Sequence, residues 1–169
     1  MERPLAPTDG RAHRRDSVTP HRAATYSDPV RVMGLDVGTK TVGVAVADEL
    51  GFTAQPITVI RRSNLKADLS ELIRLAQDRE VDRFVIGLPL NMDGSEGPRA
   101  LATRKFGDAL AKASSLTIIY QDERLTTVAA ERSLLEADVS RSKRREVIDQ
   151  VAASLILQGW LDAQPRSQS

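Results

Sequence analysis

Cysteine is absent from this chain of 169 residues, and aromatic residues make up only 4 % of it. The lack of cysteine excludes disulfides and thiolate metal sites, and it fits a cytoplasmic location. No run of eighteen apolar residues occurs, and no apolar stretch follows the N-terminal arginines, so we expect neither a membrane-spanning helix nor a secretory signal. So few aromatic side chains do not support an extensive platform for stacking bases. The formal net charge is only +1, so any binding surface for anions has to come from local clusters of basic residues.

The first 29 residues differ in composition from the rest of the chain. They contain four of the eight prolines and few large apolar side chains, too few to offset the entropy that is lost when a segment becomes ordered. We therefore predict a disordered N-terminal tail over residues 1–29, one domain over 30–163 and a frayed C-terminus over 164–169. The apolar content of 41 % is sufficient for one core of ordinary size.

Apolar periodicity predicts the secondary structure of the domain. Short apolar runs bounded by turn residues indicate five strands, at 31–36, 41–47, 57–60, 84–88 and 116–120. Apolar residues at helical spacing indicate four helices, at 65–79, 98–113, 126–137 and 144–162. A strand meander followed by alternating strands and helices predicts an α/β fold with a five-stranded mixed sheet flanked by helices.

Four acidic residues fall where the predicted strands and the last helix could bring them together. Asp36 ends the first strand, Asp122 and Glu123 follow the fifth strand, and Asp149 lies near the start of the last helix. Strand ends and helix starts can converge on one crevice outside a sheet. Carboxylates brought together repel one another, and divalent cations such as Mg²⁺ or Mn²⁺ relieve that repulsion. Two ions held in this way could activate a water and stabilise the leaving oxygen of a phosphodiester.

Each acid also has a purely structural interpretation. Asp36 could be the polar residue of a turn, and Asp122 and Glu123 could favour the dipole of the helix after them. Asp149 could pair with Arg145 on a solvated helix face. Adjacent residues of a strand point to opposite faces, so only one of Asp122 and Glu123 can be a primary metal ligand. The spacing alone leaves that choice open.

Basic and amide side chains accompany these acids, and we predict that some of them bind substrate. Lys40 and Arg124 lie beside proposed ligands and could touch the scissile phosphate or hold a carboxylate. Asn91, in a loop predicted over 89–97, could hold a phosphate or a base edge. The densest basic cluster precedes Asp149 and could neutralise phosphates leading into the site; its members are Arg141, Lys143, Arg144 and Arg145. The alternatives are a structural turn for the loop and a solvated helix face for the cluster.

Three sequence blocks resemble those of one known family. They are Gly34–Lys40 (GLDVGTK), Gly87–Gly94 (GLPLNMDG) and Asp122–Thr127 (DERLTT), with a looser fourth block at Val147–Ala153 (VIDQVAA). Together they resemble the YqgF/RuvX family, which is similar to the RuvC resolvases in its ribonuclease-H-like fold. Members of that family are described as Holliday-junction resolvases and as nucleases that mature the 5′ end of small-subunit ribosomal RNA.

The resemblance implies a divalent-metal-dependent nuclease that acts on branched DNA, on a ribosomal RNA precursor, or on both. Asp36, Glu123 and Asp149 match the family's catalytic and metal-binding acids, which favours Glu123 over Asp122. The tail has no counterpart in the family's short form. We expect a cytoplasmic protein that binds no membrane and works as a monomer or a homodimer.

Two other functions stay open on the residues alone. The Asp36–Thr39 turn before an apolar strand also resembles the first phosphate motif of actin-like ATPases and sugar kinases. Those proteins need two such domains, and no second phosphate motif occurs in this chain. The other alternative is a non-catalytic nucleic-acid-binding or regulatory module on the same fold. Metal-dependent cleavage that is lost with one acid would separate the nuclease from that module.

Overall fold

A computed structural model of the chain describes residues 31–125 and 141–165, and it gives only the backbone of residues 141–146. Within these ranges the chain forms, in order, β1 (Val32–Val37), β2 (Thr41–Ala47), β3 (Ala54–Arg61), α1 (Leu65–Asp78), β4 (Arg83–Leu88), α2 (Pro98–Ser114), β5 (Thr117–Asp122), a short 3-10 helix (Glu123–Leu125) and α3 (Arg141–Ala163). None of the helices in the described ranges is long and apolar enough to cross a membrane.

The five strands form one mixed sheet in the order β3-β2-β1-β4-β5. β1, β2 and β3 pair antiparallel, because short turns join them as hairpins. β4 pairs parallel with both β1 and β5, and a parallel pairing needs a longer crossover. α1 precedes β4 and α2 precedes β5, so these two helices carry the chain back across the sheet. The predicted α/β fold with a five-stranded mixed sheet and flanking helices is confirmed.

Three predicted boundaries differ from the structure by two or three residues, and the other boundaries agree to within one residue. β3 begins at Ala54 instead of residue 57, because its pairing with β2 extends past Pro56, which an edge strand tolerates. β5 continues to Asp122 instead of ending at residue 120, because its pairing with β4 runs to that residue. α3 begins at Arg141 instead of residue 144, in a stretch of good helix formers. The tail 1–29, the predicted helix 126–137 and residues 166–169 lie outside the described residues.

The two faces of the sheet carry different kinds of side chain. Successive residues of a strand point to opposite faces, and the face against α1 and α2 presents large apolar residues; the core there includes Met33, Leu35, Leu72, Phe84, Ile86 and Leu110. The face against α3 presents smaller residues, among them Gly34, Ala45 and Val85. A Cβ atom on Gly34 would lie 2.6 Å from Cβ of Leu157. The missing side chain is therefore what allows α3 to lie so close to the strands.

Candidate active site

Asp36 is a buried carboxylate on the face of the sheet that α3 covers. It is 6 % exposed and lies one residue before the end of β1, where the sequence predicted the last residue of the strand. Because side chains alternate along a strand, Asp36 shares its face with Gly34, which contacts α3. Gly43 of β2 lies directly opposite Asp36. Asp36 is therefore placed beneath α3, at the end of the sheet where β1 and β4 finish.

The helix α3 brings Asp149 to the same end of the sheet by packing its backbone on Gly43. A Cβ atom on Gly43 would lie 2.2 Å from the carbonyl oxygen of Asp149, so a larger residue there would displace the helix. The Asp149 carboxylate is partly buried, and its Oδ2 accepts a hydrogen bond of 2.6 Å from the Thr41 hydroxyl. Asp149 lies about two turns into α3, not near its start as predicted. Because Asp149 packs on the sheet, it does not lie on a fully solvated face of the helix.

Glu123 approaches the same face from the opposite side of Asp36. It begins the 3-10 helix after β5, and its Oε1 lies 2.8 Å from the position that a Cβ atom on Gly87 would take. Gly87 follows Ile86, which is the register partner of Leu35 in β1. Gly87 is therefore beside Asp36 on the neighbouring strand, at the usual strand spacing of about 4.8 Å. The absence of a side chain at Gly87 leaves the space that the Glu123 carboxylate occupies.

Asp122 has a different environment from its neighbour Glu123. It is the last residue of β5 and the register partner of Leu88, whereas Gln121 is the partner of Gly87. The Asp122 carboxylate accepts hydrogen bonds from Arg124, at 2.9 Å from the backbone N to Oδ1 and at 2.7 Å from Nη2 to Oδ2. The side-chain hydrogen bond from Arg124 is the largest of the effects that hold the pKa of Asp122 below its ordinary value.

The candidate substrate-binding residues have unlike surroundings. Lys40 is exposed in the turn between β1 and β2. Asn91 donates from Nδ2 to Oγ of Ser95 at 2.9 Å, within the loop that leads to α2. Arg124 contacts Asp122 and also donates from Nη1 to the carbonyl oxygen of Met92 at 3.2 Å. The backbone of α3 includes Arg141, Lys143, Arg144 and Arg145, but their side chains lie outside the described residues.

Sequence reasoning missed two groups of residues that shape this site. Nη1 of Arg62 donates to the carbonyl oxygen of Gly38 at 2.7 Å, and Nε lies 3.3 Å from Oδ2 of Asp68, which is 3 % exposed. This ion pair fixes the turn that leads into Thr41. The glycines at 43 and 87 form the second group, and a glycine inside an apolar strand was a usable signal, because it often marks the close approach of another backbone. The contact between Thr41 and Asp149 joins distant parts of the chain and left no local signal.

The chain is similar to known proteins in sequence and in fold. A family model named RuvX and described as Holliday junction resolvase matches residues 30–163. The chain belongs to the RuvX family. A relative from Myxococcus xanthus (strain DK1622) is 67 % identical over 134 residues, which cover 79 % of this chain and 89 % of the relative. A relative from Paracoccus denitrificans (strain Pd 1222) is 60 % identical over 131 residues, covering 78 % and 83 %.

Both relatives bear the name "Putative pre-16S rRNA nuclease". The family resemblance seen in the motifs is therefore confirmed, and with it the assignment to a nuclease family. Among solved structures, the chain is similar to T. thermophilus RuvC in complex with a Holliday junction substrate, with a TM-score of 0.52 and 12 % identity over 79 % of this chain and 95 % of that chain. At this identity the likeness shows the fold alone, and the predicted ribonuclease-H-like fold is confirmed.

The acids of this RuvX family member fit a hard divalent cation by their chemistry. Asp36, Glu123 and Asp149 offer carboxylate oxygens, the ligands that such ions prefer, and the space above Gly87 that a Cβ atom would fill admits Glu123. Within residues 31–125 and 147–165, no group of three His, Cys, Asp or Glu side chains is arranged to hold an ion as it stands.

Proposed function

We propose that this chain is a divalent-metal-dependent endonuclease that cleaves phosphodiester bonds of nucleic acid. Asp36, Glu123 and Asp149 are its catalytic and metal-binding acids in this proposal. The observation that carries it is the pair of glycine contacts at Gly43 and Gly87, which bring α3 and the Glu123 segment onto the two strands that flank Asp36. Three carboxylates from a strand, a 3-10 helix and a long helix thus share one face and one end of the sheet.

The chain's own residues would prepare this face for Mg²⁺ or Mn²⁺. When bound, such an ion supplies an activated water and stabilises the leaving oxygen of the phosphodiester. Burial places the Asp36 carboxylate where solvent screens its charge less, so its attraction for a cation is stronger than at the surface. The Thr41 hydroxyl holds the Asp149 carboxylate in one orientation. Gly87 leaves room for the Glu123 carboxylate beside Asp36.

The proposed substrates come from the family and its members. The name of the relatives supports a precursor of 16S ribosomal RNA, and the family resemblance of the motifs supports its 5′ end as the place of cleavage. The description of the family supports branched DNA of the Holliday-junction type. A nuclease for a two-fold junction is expected to be a homodimer, whereas a nuclease for RNA could be a monomer. A cytoplasmic location and the absence of membrane binding stay predictions.

The helix α3 provides a place for phosphates next to the acids. Its contacts with the sheet pass from Leu157 at Gly34 to Asp149 at Gly43, so the helix runs antiparallel to β1. The first two turns of α3, residues 141–147, therefore extend towards this end of the sheet and are about 10 Å long at the rise of an α-helix. Lys143 and Arg144 lie in that extension, and we propose that they neutralise backbone phosphates, as Lys40 would from the β1–β2 turn. We also propose that Asn91, which donates a hydrogen bond to Ser95, contacts a phosphate or a base edge.

The experiment that tests the proposal offers the purified full-length protein both substrates under single-turnover conditions. Cleavage of a junction and of a precursor RNA is measured with Mg²⁺, with Mn²⁺ and with excess EDTA, for the natural chain and for Asp36→Asn. We expect metal-dependent cleavage of at least one substrate, lost with EDTA and lost in the variant, while nucleic-acid binding persists. Full cleavage in EDTA would exclude the metal mechanism. Tight binding without any cleavage would support the non-catalytic module instead.

A further inference from the structure

We propose that Arg124 is a positioning residue that fastens the 91–97 loop to the segment carrying Glu123. The group of contacts formed by Asp122, Arg124 and the carbonyl oxygen of Met92 is called the arginine clamp below. The role of Glu123 in this inference rests on the proposed function. The mechanical part, a fixed loop and a fixed 3-10 helix, rests on the contacts alone.

One side of the arginine clamp is the ion pair between Arg124 and Asp122. Nη2 donates to Oδ2 at 2.7 Å, and Nε lies 3.1 Å from each carboxylate oxygen. The backbone N of Arg124 donates to Oδ1 as well, at 2.9 Å. Bidentate pairs of this kind fix the orientation of the guanidinium as well as its position. Glu123 lies between these two residues in the chain, so its backbone is held on both sides.

The other side of the arginine clamp is the loop between β4 and α2. Nη1 of Arg124 donates to the carbonyl oxygen of Met92 at 3.2 Å. Gly94 has a φ angle of +87°, and a Cβ atom there would lie 3.4 Å from Nη1, so the guanidinium lies against the loop backbone. The loop is itself tied together, because Asn91 exchanges backbone hydrogen bonds with Ser95 and Gly94, each of 2.9 Å.

These contacts close a ring that joins Glu123 to the 91–97 loop. The chain runs from Gly87 through the loop to Met92, and the hydrogen bond crosses from there to Arg124. The peptide bond between Arg124 and Glu123 leads back to Glu123, whose Oε1 lies 2.8 Å from where a Cβ atom on Gly87 would be. Opening the ring at Arg124 would uncouple the loop from the segment that carries Glu123. This arrangement also gives the two adjacent acids separate tasks, Asp122 holding Arg124 and Glu123 facing the site.

The two possible roles of Arg124, binding substrate or positioning Glu123, lead to different experimental results. If Arg124 binds a phosphate, its loss lowers the salt dependence of nucleic-acid binding by about 0.9 in the slope of log K against log salt. If Arg124 positions Glu123, that slope stays unchanged, while metal affinity and kcat fall. Loss of a residue that orients a metal ligand typically costs about tenfold to hundredfold in either quantity.

The test compares Arg124→Gln, Arg124→Lys and Asp122→Asn with Arg74→Gln as the matched control. Arg74 is also an arginine held by two carboxylates, those of Glu71 and Asp78, but it lies on the exposed side of α1. Three quantities are measured for each full-length variant. They are amide hydrogen exchange in the 91–97 loop, Mn²⁺ affinity without nucleic acid, and the salt slope of binding together with kcat and KM.

In Arg124→Gln we expect faster exchange at the loop amides, Mn²⁺ affinity and kcat lower by about tenfold or more, and an unchanged salt slope and KM. Arg124→Lys should restore part of the loss, because an ammonium can keep a contact with Asp122 but cannot bridge to Met92 with the geometry of a guanidinium. Asp122→Asn combined with Arg124→Gln should be little worse than either alone, since both open the same ring. Arg74→Gln should resemble the natural chain throughout.

Unchanged loop exchange in Arg124→Gln would overturn the arginine clamp whatever the protein cleaves. Faster exchange with unaltered Mn²⁺ affinity and kcat would overturn the link to Glu123, provided that Asp36→Asn is inactive in the same assays. A smaller salt slope with normal metal binding would make Arg124 a phosphate ligand. If Asp36→Asn itself binds metal normally and cleaves at the natural rate, the proposed function fails, and the exchange data still decide the mechanical part.

Discussion

The two faces of the sheet differ in what their side chains contribute. The face against α1 and α2 is filled by Leu, Ile, Met and Phe, and its contacts stabilise the domain by removing apolar surface from water. The face against α3 relies on glycine and alanine, so the helix backbone itself approaches the strands. The difference teaches that close approach, rather than buried area, is what places the acids. A large residue on the α3 face would add apolar area and remove the site.

Each face also has one buried carboxylate within the described residues, and the two are used differently. Asp68 on the α1 side is 3 % exposed, pairs with Arg62 and accepts a hydrogen bond from the backbone N of Ser63 at 3.1 Å. Asp36 on the α3 side is 6 % exposed and shares its end of the sheet with Asp149 and Glu123. Asp68 is paired with Arg62, whereas Asp36 is one of the acids that we propose to bind metal. We therefore expect the stability of the fold to depend on Asp68 and cleavage to depend on Asp36.

The largest expected effect comes from changing these two carboxylates to amides. Asp36→Asn should lower single-turnover cleavage by about a thousandfold or more, as expected when a charge that stabilises the reaction is lost. Its nucleic-acid binding should be equal or tighter, because one negative charge leaves a site that faces phosphates. Asp68→Asn should lower the free energy of unfolding by about 3 kcal/mol, because Arg62 loses its buried partner, and cleavage by the folded protein should fall much less. Denaturant unfolding and cleavage rates, measured on both variants, check the comparison; an active Asp36→Asn would refute it.

The second comparison adds volume to one face and removes it from the other. Gly43→Ala places a methyl group 2.2 Å from the Asp149 carbonyl oxygen, and such overpacking costs about 3 kcal/mol. Leu72→Ala on the α1 side, where Leu72 is fully buried, costs about 3 kcal/mol through the cavity it leaves. The two variants should unfold at similar denaturant concentrations. Only Gly43→Ala should also lose metal binding and cleavage, because α3 must move. Equal catalytic loss in both variants would show that stability alone, not the close approach, limits activity.

The third comparison removes two positive charges at the same end of the sheet from opposite faces. Lys143→Ala with Arg144→Ala changes the extension of α3, and Lys66→Ala with Arg99→Ala changes the exposed first turns of α1 and α2. The α3 pair should lower the salt slope of nucleic-acid binding by up to about 0.9 per lost phosphate contact. The α1 and α2 pair should leave the slope nearly unchanged. If both pairs alter the slope equally, nucleic acid is attracted to that whole end of the molecule and not to α3.

The sequence predicted the α1 and α2 face better than the α3 face, and the reason is physical. Large apolar residues at regular spacing predict both a helix or strand and which side of it is buried. The strands and helices of that face could therefore be recognised. The four acids could be singled out from their places at strand ends and near a helix start, and the motifs favoured Glu123 over Asp122. The effect of a glycine depends on which other segment packs against it, and only the tertiary fold decides which segment that is. The pairing of Thr41 with Asp149 was invisible for the same reason.

The smallest effect, and the finest test of the two faces, concerns a pair of threonine hydroxyls. Thr41 donates to Asp149 on the α3 side, whereas Thr103, 3 % exposed, donates at 3.0 Å to the carbonyl oxygen of Arg99 within α2. Valine has nearly the shape of threonine, so Thr41→Val and Thr103→Val each remove one hydrogen bond, which is worth about 1 kcal/mol. Both variants should therefore be almost as stable as the natural chain.

They should differ in chemistry, because only Thr41 orients a proposed metal ligand. Thr41→Val should weaken Mn²⁺ binding and lower kcat by about tenfold, the lower end of what loss of such a partner costs. Thr103→Val should do neither, since its hydroxyl serves only the helix that carries it. Titration calorimetry with Mn²⁺ and single-turnover cleavage measure the two quantities on the same samples. If Thr41→Val binds and cleaves like Thr103→Val, the Asp149 carboxylate is oriented by the packing of α3 on Gly43 alone, and the hydroxyl is dispensable to the site.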